Sequence, residues 1–241
     1  MRSRDVIIAC DFPSAEKTLE FLDSFGARKP YVKIGMELFY AAGPDMVRRI
    51  KERGHSVFLD LKLHDIPNTV NKAMKNLARL GADMTNLHAA GGIKMMRAAV
   101  EGLAEGAEMS GRARPLLIAV TQLTSTDSNM LKDELLISES MENTVAHYAA
   151  NARLAGLDGV VCSAHEAGQV KAACGIGFLT VTPGIRFAAD SADDQARIMT
   201  PAKAGETGTD YIVVGRAVTA AADPQAAYLR CLEEFTGEKQ L

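Results

Sequence analysis

Residues 56–77 read SVFLDLKLHDIPNTVNKAMKNL, and the period of the apolar side chains changes partway along. From Val57 to Leu63 the pattern suits an extended strand, with Leu61 and Leu63 on one face and Asp60 and Lys62 on the other. From Val70 onward the apolar positions are Val70, Ala73, Met74 and Leu77, spaced i, i+3, i+4, i+7 as one stripe of a helix. The same strand-then-helix order recurs along the chain. Short apolar or β-branched runs occupy 6–10, 31–34, 56–61, 83–87, 116–120, 159–162, 177–181 and 211–214. The segments between them carry helical signals rather than hairpin turns. Met141, Val145, Tyr148 and Ala152 form a second helical stripe, Ser14 suits an N-cap ahead of Leu19 and Leu22, and Gly43-Pro44-Asp45 opens a further helix. Eight strands separated by helices must be parallel, with crossover connections. In a chain of 241 residues this favours a closed barrel over an open doubly wound sheet. The expected fold is therefore α/β, a (β/α)8 TIM barrel forming a single domain over 1–241. Beyond the alternation itself no sequence repeat, linker or low-complexity stretch stands out.

Bulk composition narrows the partners. With 47% apolar and 24% charged residues, the chain can bury a large core and keep a charged surface. A formal net charge of −3 gives no basic field for nucleic acid, so an anionic ligand has to be met by local cations. Cys10, Cys162, Cys174 and Cys231 form no C-x-x-C pair, so neither zinc nor a redox dithiol is signalled, and free thiols suit a reducing compartment. Met1-Arg2-Ser3-Arg4-Asp5 runs into the first strand without an apolar leader, and no apolar stretch approaches the ~18 residues of a membrane span. The expectation is a cytoplasmic protein with neither nucleic-acid nor membrane partners.

In barrels of this kind the chemistry sits at the C-terminal ends of the strands. The first run ends in Asp11. The second carries Lys33 inside Tyr31-Val32-Lys33-Ile34. The third brings Asp60 and Lys62 to the inward face, with Asp65 just past its end. Two lysines and three aspartates thus gather at one mouth, where burial is costly unless the charges pair. A single Asp–Lys pair reads equally well as a structural ion pair. Five groups at three neighbouring strand ends point to chemistry. Carboxylates beside a buried lysine favour its protonated form, which is a proton donor rather than a Schiff-base nucleophile.

The seventh and eighth strands lead into Thr182-Pro183-Gly184-Ile185-Arg186 and Val213-Val214-Gly215-Arg216-Ala217. These are the loops where such barrels hold phosphate. Gly215 admits close backbone approach, the following helix offers free N–H groups, and Arg216 offers a fork of donors. A lone Gly-Arg would otherwise read as a turn with a surface arginine. Residues 187–195 are small and polar, suited to a mobile lid or to an ordinary exposed loop, and composition alone does not single out Gln195 as a phosphate contact. The hydroxyl-rich run 121–128 suits either a polar heterocycle or solvent. Five histidines lack metal-ligand spacing; His64 and His88 lie near strand ends, where a structural role is the simpler reading.

The stretch Asp60-Leu61-Lys62-Leu63-His64-Asp65-Ile66-Pro67-Asn68-Thr69-Val70 resembles the D-x-K-x-x-D-I-x-x-T-V motif of orotidine 5′-phosphate decarboxylases, in their bacterial form. The resemblance extends from Asp11 to Gly215-Arg216. It implies a cofactor-free and metal-free decarboxylase making UMP, with Lys62 as proton donor in a catalytic network of Lys33, Asp60, Lys62 and Asp65. It further implies a homodimer in which Asp65 and Thr69 serve the partner's site, with Ile66 among the substrate-binding residues. Asp11 and Lys33 would contact the ribose, Asp60 the reacting end, Thr124 the pyrimidine, and Pro183, Arg186, Gln195, Gly215 and Arg216 the covered phosphate end. Two alternatives stand beside it. One is a Mg²⁺-dependent decarboxylase of the 3-keto-gulonate 6-phosphate type, which shares D-x-K-x-x-D but not the following I-x-x-T-V. The other is a non-catalytic phosphometabolite-binding barrel, which leaves the Asp/Lys network unexplained.

Overall fold

Runs that are apolar on both faces fit strands buried on both sides, and in the computed structural model they pair in chain order. The structure describes residues 4–187 and 199–238. In order, the elements are β1 (Asp5–Ala9), α1 (Ala15–Asp23), β2 (Tyr31–Gly35), α2 (Met36–Ala42), α3 (Asp45–Glu52), β3 (Val57–Leu63), α4 (Pro67–Leu80), β4 (Met84–His88) and α5 (Gly92–Ser110). They continue with β5 (Leu116–Val120), α6 (Met141–Ala155), β6 (Gly159–Val161), α7 (Ala164–Cys174), β7 (Leu179–Ile185), α8 (Pro201–Glu206), β8 (Tyr211–Val214), α9 (Arg216–Thr219) and α10 (Pro224–Thr236). The eight strands are parallel and β1 closes on β8, so the expected barrel is observed.

Alternation along each strand sorts the side chains into two layers. Val6, Ile8, Val32, Ile34, Val57 and Leu59 face the helices and join the outer core. Ile7, Ala9, Tyr31, Phe58 and Val213 face inward and fill the barrel. Lys33 lies between Val32 and Ile34, and the same alternation turns it inward, opposite Ala9 and Phe58 in the ladders. Ser14 caps α1 as expected, its hydroxyl accepting from the Lys17 N–H. Two boundaries differ from the sequence expectation. β7 continues to Ile185, with a register shift between Thr182 and Ile185 around Pro183, which has no N–H to give the ladder. Helix α2 follows β2 with no intervening loop, ahead of the helix expected after Pro44.

The structure also reveals a repeat that the sequence alone hides. Gly81-Ala82-Asp83, Gly156-Leu157-Asp158 and Gly208-Thr209-Asp210 each precede an even-numbered strand. In each, glycine adopts positive φ at a helix end. The aspartate then reaches across to the start of the preceding odd strand, accepting from the N–H of Val57, Leu117 or Thr180 at 2.7, 2.8 and 2.7 Å. The same carboxylates pair with Lys51, Arg114 and Lys171. Three strand pairs are thus pinned at the end opposite the charged mouth. No helix among the described residues is long and apolar enough to cross a membrane.

Candidate active site

Asp11, Lys33, Asp60 and Lys62 meet at the C-terminal mouth in a chain of alternating charge. Lys33 Nζ lies 3.1 Å from Asp11 Oδ1 and 3.3 Å from Asp60 Oδ2, and Lys62 Nζ lies 2.7 Å from Asp60 Oδ1. The side chains of Lys33 and Asp60 are only 12% and 10% exposed, against 53% for Asp11, so the array runs from the rim inward. Burial alone would lower the Lys33 pKa, but Asp60 and then Asp11 outweigh it and hold it above the ordinary lysine value. Burial alone would raise Asp60; Lys33 and Lys62 outweigh it and hold the carboxyl below the ordinary range. Both groups are therefore charged at neutral pH. Gly35 makes room for the array, since a Cβ there would stand 3.1 Å from Asp11 Oδ1 and 3.2 Å from Lys33 Nζ.

Asp60 and Lys62 do not meet by regular alternation alone. The β3–β4 ladder pairs Leu59 with Thr85 and next pairs Leu63 with Leu87, leaving Asp60, Leu61 and Lys62 opposite the single residue Asn86. At this bulge Lys62 adopts φ 50°, a left-handed conformation that costs a non-glycine residue roughly 1–2 kcal/mol. Asn86 bridges the irregularity. Its Oδ1 accepts from the Lys62 N–H at 2.8 Å and its Nδ2 donates to Asp60 Oδ1 at 2.7 Å. Neither Asn86 nor Gly35 was singled out by the sequence reading. The available signal was a polar residue among the inward positions of an apolar strand.

A cavity of about 200 Å³ opens above the array, lined by Lys33, Asp60, Lys62, Thr124 and Pro183 among others. That is below the ~300–1,000 Å³ of an ordinary ligand pocket and suits one ring-sized group. It adjoins an open groove that reaches Gly215, Arg216 and Arg186, and Lys33, Pro183 and Val213 line both. Gly215 is the N-cap of the short helix α9, which places Arg216 at its first position beside the groove. Thr124 thus lines the cavity with Lys33, Asp60 and Lys62, Arg186, Gly215 and Arg216 line the adjoining groove with Asp11, and Pro183 lines both parts of this space. At the far edge of the groove the Arg230 guanidinium stacks on Phe187, 4.0 Å from the ring centre. Gln195 and the rest of the expected lid from 188 onward lie outside the described residues.

Asp65, Ile66 and Thr69 stand apart from this space. All three are exposed, Ile66 to 66%, on the segment that leads into α4. The Asp65 carboxylate accepts from the neighbouring Ile66 N–H at 2.6 Å and pairs with neither lysine of its own chain. His64 and His88 stack at the rim with ring centres 5.8 Å apart; burial, then His64 and Lys62, lowers the His88 pKa.

The family model described as orotidine 5′-phosphate decarboxylase / HUMPS family matches residues 4–231. An orotidine 5′-phosphate decarboxylase from Geobacillus thermodenitrificans is 60% identical over 231 residues, covering 96% of both chains. One from Bacillus caldolyticus is 61% identical over 231 residues, covering 96% of this chain and 94% of that relative. The crystal structure of orotidine 5′-phosphate decarboxylase from Lactobacillus acidophilus superposes with a TM-score of 0.87 at 42% identity, covering 97% of this chain and 99% of that one. With the charged barrel mouth already in place, these matches lead to one conclusion: the chain belongs to the orotidine 5′-phosphate decarboxylase / HUMPS family.

Proposed function

We propose that this protein converts orotidine 5′-phosphate to UMP and CO₂, with Lys62 as the proton donor. The observation that carries the reading is the alternating Asp11–Lys33–Asp60–Lys62 array beneath a ring-sized cavity. The relatives at 60% identity carry the same activity in their names. The C6–carboxylate bond breaks, CO₂ leaves, and the electron pair remains on C6 in the plane of the ring. No ordinary enolate can form there, so the developing charge has to be met by a fixed cation. Lys62 supplies that cation, and then its Nζ proton passes to C6; the amine regains a proton from solvent.

Asp60 faces the departing carboxylate. Two unit charges 4 Å apart repel by roughly 4 kcal/mol at an effective dielectric near 20, and the repulsion vanishes as CO₂ leaves. The larger share of the acceleration is assigned to Lys62 acting on the transition state. In this reading Asp11 and Lys33 hold the ribose, Thr124 the pyrimidine, and Pro183, Arg186, Gln195, Gly215 and Arg216 the covered phosphate end. Binding energy gathered at the remote phosphate helps to hold the reacting end in place.

The active form in this account is a cytoplasmic homodimer with shared sites, into which the partner subunit's Asp65, Ile66 and Thr69 reach. The exposure of all three within one chain supports that arrangement. The four buried, unpaired cysteines suit a reducing compartment. The activity is tested by adding orotidine 5′-phosphate and following the ultraviolet absorbance of the pyrimidine, with and without EDTA. Conversion to UMP that survives chelation is the expected result. Activity lost with EDTA and restored by Mg²⁺ would replace this reading with the metal-dependent decarboxylase, and no conversion at all would refute it.

A further inference from the structure

Asn86 is fully buried on β4, yet its carboxamide is bonded to both residues that the proposed chemistry requires at the reacting end. Its orientation is fixed by the partners. Asp60 as a carboxylate can only accept and the Lys62 N–H can only donate, so the amide cannot be flipped. It also stands where the sheet is broken. Three residues of β3 lie opposite Asn86 alone, and the Lys62 N–H is taken by the Asn86 side chain instead of a ladder carbonyl. One amide thus secures the left-handed backbone of Lys62 and the carboxylate to which Lys62 Nζ is bonded.

We propose that Asn86 is a positioning residue for the reaction, fixing Asp60 and the backbone of Lys62 relative to each other so that the Lys62 ammonium meets the reacting carbon. The inference rests on the proposed role of Lys62. Asn86 borders the ring-sized cavity but has no exposed surface, and both ends of its carboxamide are taken by Asp60 and Lys62, so it acts through these two residues. Removing it frees the bulge and lets Asp60 turn, while the phosphate and ribose contacts remain. The expected signature is a loss in turnover without a matching loss in nucleotide binding.

Asn86→Ala should lower kcat on the order of a hundredfold, the scale of a displacement of about 1 Å at the reacting groups. Affinity for UMP should stay within about threefold of the parent. Asn86→Asp gives a sharper test. While protonated, the new carboxyl keeps both bonds, its hydroxyl donating to Asp60 and its carbonyl accepting from the Lys62 N–H. Once ionised it confronts the Asp60 carboxylate and cannot donate. The charged and titratable groups around it are Asp60 and Lys62 from β3, Lys33 from β2, Asp11 beyond β1, and His88 and His64 at the rim; β5 contributes none. The ratio of variant to parent kcat should therefore fall by about tenfold or more as pH rises through the titration of the new carboxyl.

A ratio that does not change with pH, or an alanine variant with kcat within about threefold of the parent, overturns the inference. Should the alanine variant fail to fold, the pH profile of Asn86→Asp, taken on protein that binds UMP, decides alone. Lys62→Ala separates the two readings. Turnover surviving there refutes the role of Lys62 and this inference with it. Turnover lost there, with both Asn86 variants normal, refutes the role of Asn86 alone.

Discussion

Asp60→Asn removes the negative charge that stands between Lys33 and Lys62 and leaves their facing sides uncompensated. The two ion pairs span 3.3 and 2.7 Å. At an effective dielectric near 20, contacts of that length are worth about 5 and 6 kcal/mol gross, and desolvation of the groups offsets most of it. Deleting one partner of such a buried set costs about 3–5 kcal/mol, because the surviving charges stay buried without their counter-ion. Lys62 is 27% exposed and partly solvated, which favours the lower figure. A loss of about 3 kcal/mol should lower Tm by roughly 6–12 °C in a chain of this size, read by calorimetry at pH 7. The sign with pH follows from Asp60. Its folded pKa is held below the ordinary 3.8, so its contribution is full above that value and is lost as pH falls through the lower folded value. The gap between parent and variant should therefore narrow below about pH 4. An unchanged or raised Tm at pH 7, or a gap indifferent to acid, would refute the claim that Asp60 offsets the two lysines.

Mixing inactive Lys62→Ala and Asp65→Ala chains should restore roughly a quarter of parental activity, because half of randomly formed dimers are mixed and each holds one intact site. If tagged pull-down shows mixed dimers and no activity returns, Asp65 acts within its own chain. Arg216→Ala should lower kcat/KM for orotidine 5′-phosphate by about 10- to 100-fold, the worth of a charge-assisted bond, with little effect on the phosphate-free nucleoside. Equal losses on both substrates would make Arg216 a structural residue.

The barrel was legible because its strands are buried on both faces. Each therefore stands out as an apolar run, and β5 and β8 fall on the expected residues 116–120 and 211–214. Lys33 was legible for the same reason, as a charge inside such a run. Helix α2 was not, because it follows Gly35 directly and buries only Leu38, leaving no loop signal and no apolar stripe. The repeated Gly-x-Asp clamp was hidden because its partners, Lys51, Arg114 and Lys171, lie at unrelated separations along the chain. Strand alternation anticipated that Asp60 and Lys62 would meet, whereas the geometry that joins them is a bulge held from the next strand. Asn86 went unnoticed because an amide carries no charge and its two partners lie 26 and 24 residues away. Asp65 was counted with the charges at the mouth from its place after the third strand, but within its own chain it pairs with neither lysine; its assignment to a partner's site, like that of Thr69, came from the motif, and the exposed position of both is what such a site would require.

Lys62 is proposed both to oppose the charge at C6 and to deliver the proton, and Lys62→Ala removes both functions at once. Single-turnover and steady-state decarboxylation of orotidine 5′-phosphate should be measured beside UMP binding, since the product already carries its hydrogen at C6. General-acid and electrostatic effects together predict that turnover falls by at least roughly 10⁴-fold. UMP should still bind the folded variant. Turnover within about tenfold of the parent, with UMP binding intact, would contradict the account.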